Sequence, residues 1–297
     1  MDISLSEIRA FNATVKNGNY TKAASDLGVS QPAITVQIRK IESRFNGALF
    51  ERINNGVRLT NLGQELYRVT KQYPDLEASI QALAEPERQT QQTIHVATAS
   101  PLIFMPLFAN FYQRFPESQL HIVSGTTTEC RKMLLDREVD IGLFPCPLEE
   151  NSISKLAYHS HHLMAILPLD HPLGNQKQLS VHQLIDYPLI FSKTDAYTQK
   201  VVDHAFKEAG LTPFPHIHMD SRYDTCEAVI YGLGIGFSLA NDIRPDSRYL
   251  MVPIQEAQEE IIEHVVWLKA RSGLPSIRNF VQLALENRCA KAGKPTA

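Results

Sequence analysis

Apolar residues in the first sixty positions recur at helical spacing. Ile8, Phe11 and Val15 share one face of a segment opened by Ser4-Leu5-Ser6-Glu7, a capping box. Gly18 ends that helix, and Asn19 can cap the next. The next helix carries Ala23 and Ala24, small enough to let a neighbouring helix come close, and Gly28 suits a tight turn. Ser30 is then an N-cap, with Pro32 in the first turn, where its missing N–H costs little. Ile34, Ile38, Ile41 and Phe45 form an inward stripe. The opposite face carries Gln31, Thr35 and Arg39, which are polar and long enough to reach base edges. This is the design of a helix-turn-helix recognition element. Residues 50–53 and 57–60 flank Asn54-Asn55-Gly56, a hairpin whose turn favours positive φ, so they predict a wing. Arg52 and Arg58 are placed there to touch phosphates, which orients a domain without reading sequence.

Thr60 or Asn61 caps a long helix predicted to run to about residue 85, with Leu62, Leu66, Val69, Leu76, Ile80 and Leu83 on one face. Such a face needs a partner, which makes this a dimerisation helix. Pro74 should kink or break it near Gln72-Tyr73. Residues 85–92 are polar and read as a hinge. From Thr93 the period changes. Strands are expected at 93–98, 120–125, 139–144, 163–167, 189–191, 216–218, 235–238 and 264–268. Helices are expected at 100–115, 128–137, 181–185, 196–209, 223–231 and 276–287. This alternation argues an open parallel sheet.

Composition changes the picture only slightly. The chain has 297 residues, 43% hydrophobic and 21% charged, ordinary for a globular protein of two or three domains. No apolar stretch approaches bilayer length, and the N-terminus does not resemble a secretion signal, so a cytoplasmic location is expected. Cys130, Cys146, Cys226 and Cys289 are widely spaced, which suggests a reducing compartment. The net charge is –3, yet residues 1–60 hold eight Lys/Arg against five Asp/Glu. A mildly basic head on an acidic body fits DNA contact at one end.

Residues 1–63 resemble the winged helix-turn-helix of LysR-type transcriptional regulators. The match is carried by Phe11, Ala23-Ala24, Leu27, Ser30-Gln31-Pro32-Ala33, Gln37-Ile38, Ile41-Glu42, Leu49-Phe50, Arg52, Leu59-Thr60 and Gly63. Thr35 stands where the family usually has Ser, Asn46 where it usually has Gly, and Val36 where a basic residue is common. A looser match through Asp140-Ile141-Gly142, His171-Pro172-Leu173 and Gly232-Leu233-Gly234-Ile235-Gly236 extends the resemblance over nearly the whole chain. It implies an α/β protein with a winged head, a linker helix and two Rossmann-like lobes of the periplasmic-binding-protein type. The expected divisions are 1–60 for the head, 61–90 for the linker, 91–160 with 267–297 for lobe I, and 161–266 for lobe II. The chain would cross between lobes near His161 and again near Val265. The resemblance also implies a homodimer or homotetramer on operator DNA, a small-molecule effector and no cofactor. The DNA-contacting set is Thr21, Ser30, Gln31, Pro32, Thr35, Val36, Arg39, Arg52 and Arg58.

Open parallel sheets bind ligands beyond the carboxyl ends of strands, near helix N-termini. This selects Ser100, Thr126, Thr127, Thr128, Pro145, Phe191, Ser192, Thr194 and Ser221 as effector contacts. Hydroxyls with free helix N–H groups suit a small anion. The plainer reading is that Ser and Thr at helix starts are simply caps. Lys193 and Arg222 could neutralise an anion or be solvated surface charge. His159, His161 and His162 lack partners at metal spacing and read as exposed strand-edge residues. Cys146 and Cys226 could form a redox pair, or be small buried hydrophobes. A solute-binding module that has lost DNA binding is the alternative. An enzyme is not expected, because no nucleophile elbow, metal spacing or nucleotide loop is present.

Overall fold

A computed structural model describes residues 3–54, 56–84, 93–146, 149–192 and 195–292. The chain divides into two compact units, Met1–Glu85 and Pro86–Ala297. The expected hinge at 85–92 lies outside the described residues, as do Asn55 of the wing turn, Lys193 and Thr194.

In the first unit α1 (Leu5–Asn17), α2 (Tyr20–Asp26) and α3 (Gln31–Phe45) precede a hairpin of β1 (Phe50–Ile53) and β2 (Gly56–Leu59). Ser4 and Glu7 form the capping box that opens α1, and Gly18 closes it at φ 62°. Asn46 ends α3 in the left-handed region, φ 50°, the conformation its amide side chain tolerates. Ile34, Ile38 and Ile41 pack with Ala10, Phe11, Ala24 and Leu49 in one core. Fully burying each isoleucine stabilises the unit by about 1.5–3 kcal/mol.

The long helix is two helices, α4 (Asn61–Thr70) and α5 (Tyr73–Ala84). Pro74 sits in the first turn of α5, where a proline is tolerated, and the break falls just before it. The Thr70 carbonyl would look four residues ahead for its donor, and Pro74 has none. Asn12 Nδ2 on α1 donates to that carbonyl instead at 2.7 Å, while Thr70 Oγ1 donates to Asn12 Oδ1 at 2.8 Å. Proline thus sets the break, and a buried asparagine satisfies it.

The second unit begins with β3 (Thr93–Thr98), α6 (Pro101–Arg114), β4 (Gln119–Ser124), α7 (Thr127–Leu135), β5 (Ile141–Pro145) and β6 (Ile153–His161). The chain then forms β7 (Leu163–Pro168), α8 (Val181–Leu184), β8 (Leu189–Phe191), α9 (Tyr197–Glu208), β9 (Pro215–His218), α10 (Arg222–Ile230), β10 (Gly236–Leu239) and β11 (Tyr249–Pro253). It closes with β12 (Ile261–Leu268) and α11 (Pro275–Ala292). Lobe I is a five-stranded sheet in the order β4-β3-β5-β12-β6. Both its faces are covered, so neighbouring residues enter opposite cores. Val96 and Val265 pack with Phe104, Phe111 and Phe280, whereas Ala97 and Val266 pack with Cys130, Leu134 and Phe144.

The sheets are mixed, not parallel as expected. β3 is parallel to β4 and β5, but β12 is antiparallel to β5 and β6. In lobe II β7 lies between antiparallel β10 and β11, and β8 pairs in parallel with β9. The cause is connectivity: β12 returns from the other lobe, so no crossover helix fixes its direction. Strands β6 and β11 lack a clear apolar alternation, so periodicity does not predict the extent of either. The chain leaves the lobe I sheet after His161 and has rejoined it at Ile261, which pairs with His161.

Candidate nucleic-acid interface and ligand cleft

The head presents one continuous polar face. Ser30 Oγ accepts from the Ala33 N–H, fixing the start of α3. Gln31, Pro32, Val36 and Arg39 are exposed and Thr35 is half-buried, on the side away from the isoleucine stripe. Gln31 Nε2 donates to Thr35 Oγ1 at 3.1 Å, and Thr35 Oγ1 donates to the Gln31 carbonyl, also at 3.1 Å. These two side chains therefore hold each other in place. Thr21 is exposed at the start of α2, where Asn19 Oδ1 accepts its N–H at 2.8 Å.

The wing is fastened to the surrounding helices by contacts the sequence pattern did not reveal. Glu42 Oε1, on α3, accepts from the Leu49 and Phe50 N–H groups at 2.8 and 3.4 Å. The Val57 N–H donates to the Gly18 carbonyl at 2.9 Å. A Cβ on Gly63 would stand 2.1 Å from the Leu49 carbonyl oxygen, so only glycine lets α4 dock there. Arg52 is exposed, whereas Arg58 Nε lies 2.6 Å from Glu51 Oε1 across the hairpin. A phosphate must compete with Glu51 for Arg58, which leaves Arg52 the stronger of the two expected phosphate ligands.

A cavity of about 750 Å³ lies between the two lobes of the second unit. Ser100, Thr126, Thr127, Pro145, Ser192 and Ser221 line it, six of the nine expected positions. Thr126 caps α7 with Glu129 in a capping box, and Ser221 caps α10, so these hydroxyls act as caps and line the cleft at once. Thr126 Oγ1 also donates to Asp195 Oδ2 at 3.2 Å, linking the lobes at the cavity rim. Two expectations fail. Phe191 is 6% exposed and packs against Phe206 and Phe237 in the lobe II core, because the last strand residue faces the sheet interior. Thr128 is exposed and outside the cavity, turned away by the helical rotation beyond Thr127. Thr194 lies outside the described residues.

The cavity floor holds residues the sequence reading missed. Asp242 and Glu263 line it with no exposed side-chain surface, beside His161, whose side chain is equally buried. Ser100 Oγ donates to Glu263 Oε1 at 2.8 Å, and His161 Nε2 is 3.4 Å from the same oxygen. Arg222 lies 3.1 Å from Asp242 Oδ2 and donates through Nη2 to the Ala99 carbonyl at 2.7 Å, tying lobe II to lobe I. Burial drives the Asp242 carboxyl above its ordinary pKa, against the opposing pull of Arg222. His161 is thus not the exposed edge residue expected, because the second lobe covers the end of β6. A lone glutamate inside the apolar run 261–268 was the one sequence signal that could have marked this floor.

Among the described residues no group of three or more His, Cys, Asp or Glu could hold a metal ion. Burial raises the thiol pKa of both Cys146 and Cys226, the opposite of what a reactive thiolate needs. Among the described residues no helix is long and apolar enough to cross a membrane.

Comparison with known proteins agrees with this architecture. Residues 5–64 match the bacterial regulatory helix-turn-helix of the lysR family, and residues 87–288 match the LysR substrate binding domain. The regulator CbbR of Xanthobacter flavus is 28% identical over 98% of this chain and 85% of its own length. The structure of a full-length OxyR variant from Pseudomonas aeruginosa superposes with a TM-score of 0.77 at 19% identity, covering 96% of this chain and 95% of that one. CbnR in complex with its target DNA gives a TM-score of 0.55 at 20% identity, over 97% of this chain and 100% of that one. Nothing in the intact helix-turn-helix favours a module that has lost DNA binding, and the matched proteins are regulators. A winged head with an open polar helix, joined to two lobes around a cleft, and two family matches that together cover most of its length place this chain in the LysR family of transcriptional regulators, which bind DNA and a small-molecule effector.

Proposed function

We propose that α3 reads its operator through Gln31, Thr35, Val36 and Arg39, with Thr21, Ser30 and Pro32 at the helix start and Arg52 and Arg58 of the wing holding the flanking phosphates. One observation carries the reading: Gln31, Val36 and Arg39 are exposed and Thr35 half-buried on a helix whose other face is locked by Ile34, Ile38 and Ile41. A major groove accepts such a helix, and the wing arginines meet the backbone beside it.

The head extends over residues 1–60, the linker over 61–90, lobe I from 91 to about 161 and again from β12 (Ile261–Leu268) onward, and lobe II over the residues between. Val69, Leu76 and Ile80 are about 60% exposed on α4 and α5, which supports pairing of that surface with a second copy. The assembly is a cytoplasmic homotetramer without enzymatic activity. The effector enters the cleft between lobes lined by Ser100, Thr126, Thr127 and Ser221. Its binding changes lobe closure and so the spacing of heads on DNA.

The test uses full-length protein and the intergenic duplex upstream of its own gene, followed by fluorescence anisotropy. Thr35→Ala should weaken duplex binding and leave the melting shift produced by a bound metabolite unchanged. Thr127→Val should do the reverse. Unchanged duplex affinity in Thr35→Ala removes α3 as the reading face.

A further inference from the structure

The cavity floor is electrostatically unlike a site for a simple anion. Two carboxylates, Asp242 and Glu263, are fully buried there and face the cavity. Ser100 supplies one hydrogen bond to Glu263 Oε1, and Arg222, itself 41% exposed, stands beside Asp242. Glu263 Oε2 receives no hydrogen bond among the described residues, and the Asp242 carboxylate is met chiefly by Arg222 Nε, 3.1 Å from its Oδ2. An ionised carboxylate only accepts, so the acceptor sites of the two carboxylates outnumber the Ser100, His161 and Arg222 donors beside them. Burying carboxylates with unfilled acceptor capacity is costly, and the cost falls when a ligand brings N–H groups. An entering carboxylate would meet like charge here and add no donor. An ammonium or guanidinium meets two acceptors and the opposite charge.

We propose that the effector is an amine-bearing metabolite whose cationic nitrogen docks on the Asp242–Glu263 pair at the base of the inter-lobe cleft. Ser100 positions Glu263 from lobe I, and Arg222 positions Asp242 from lobe II. The ammonium therefore joins one carboxylate from a strand of lobe I to one from the loop after β10 of lobe II. That bridging gives the ligand a direct grip on lobe closure. The hydroxyl rim at Thr126 and Thr127 remains for the polar remainder of the molecule.

This inference rests on the cleft being the effector site, and the experiment separates the two. The full-length protein is screened by thermal melting against the standard amino acids, the polyamines, and the corresponding des-amino carboxylic acids. Duplex binding is measured on the same preparation. The expected result is stabilisation by one or more amines and none by the des-amino partners. In Asp242→Asn and Glu263→Gln the amine should bind about tenfold or more weaker, the effect of removing a charged hydrogen bond. Asp242→Glu, which keeps the charge, should retain more binding than Asp242→Asn, a recovery that a merely structural role does not give. Stabilisation by the carboxylic acids alone, or by no member, overturns the proposal while intact duplex binding leaves the regulator assignment standing. An amine that binds Thr127→Val weakly but both floor variants at full strength overturns it while keeping the cleft as the site.

Discussion

Gly63 joins the wing to the helix that follows it, and Gly63→Ala measures what that junction contributes. The added Cβ would sit 2.1 Å from the Leu49 carbonyl oxygen and 2.9 Å from Leu59 Cδ2. Ordinary contact requires α4 to retreat by roughly 1 Å, a shift that dense protein interiors resist. The same Leu49 carbonyl accepts the Thr60 N–H at 3.0 Å, and Thr60 Oγ1 caps α4 through the Gly63 N–H at 3.1 Å. Retreat stretches the first of these bonds past useful length. Overpacking costs about 1–3 kcal/mol and the lost hydrogen bond about 1 kcal/mol, for a total near 2–4 kcal/mol. For a unit of this size that lowers the midpoint by roughly 10 °C or more. Circular dichroism melting of the full chain should show the loss in a head transition. Anisotropy should show weaker duplex binding, because Arg52 moves with the wing. The cleft should still take its ligand unchanged. A variant that melts and binds duplex like the parent would refute the close approach of α4 to Leu49.

Three further outcomes follow from the structure. Asn12→Ala orphans the buried Thr70 carbonyl that Pro74 cannot serve, and should cost about 1–3 kcal/mol in urea unfolding; replacing Pro74 with Ala in that background should recover part of it. Arg52→Ala should reduce the slope of log affinity against log salt by about 1, with smaller loss for Arg58→Ala because Glu51 already holds it; equal losses would contradict the hairpin pairing. Burial raises the folded-state pKa of Asp242 above its unfolded value, so its contribution to stability is full below the unfolded pKa and is lost as pH rises through the folded pKa. Melting midpoints taken across that range should fall with pH in the parent and less steeply in Asp242→Asn; parallel profiles would remove the effect.

The sequence by itself determined what local chemistry controls. Capping residues Ser4, Asn19, Ser30 and Thr60 and the isoleucine stripe of α3 defined the helices of the head, because each acts over a few residues. The break at Pro74 was legible for the same reason, but its satisfaction by Asn12 was not, since that partner is 58 residues away. In the second unit periodicity gave most strands and helices and their approximate ends. It could not give strand direction, because β12 comes back from the other lobe and its pairing with β5 and β6 is decided by sheet assembly. The cleft divided along the same line. Helix-start residues such as Thr126 and Ser221 could be found by their place after strands, whereas Thr128 and Phe191 differed only in the face to which folding turned them. Tertiary structure alone assembled the acidic floor. His161, Asp242 and Glu263 come from three separate segments, and their chemistry arises only where burial removes water from all of them together.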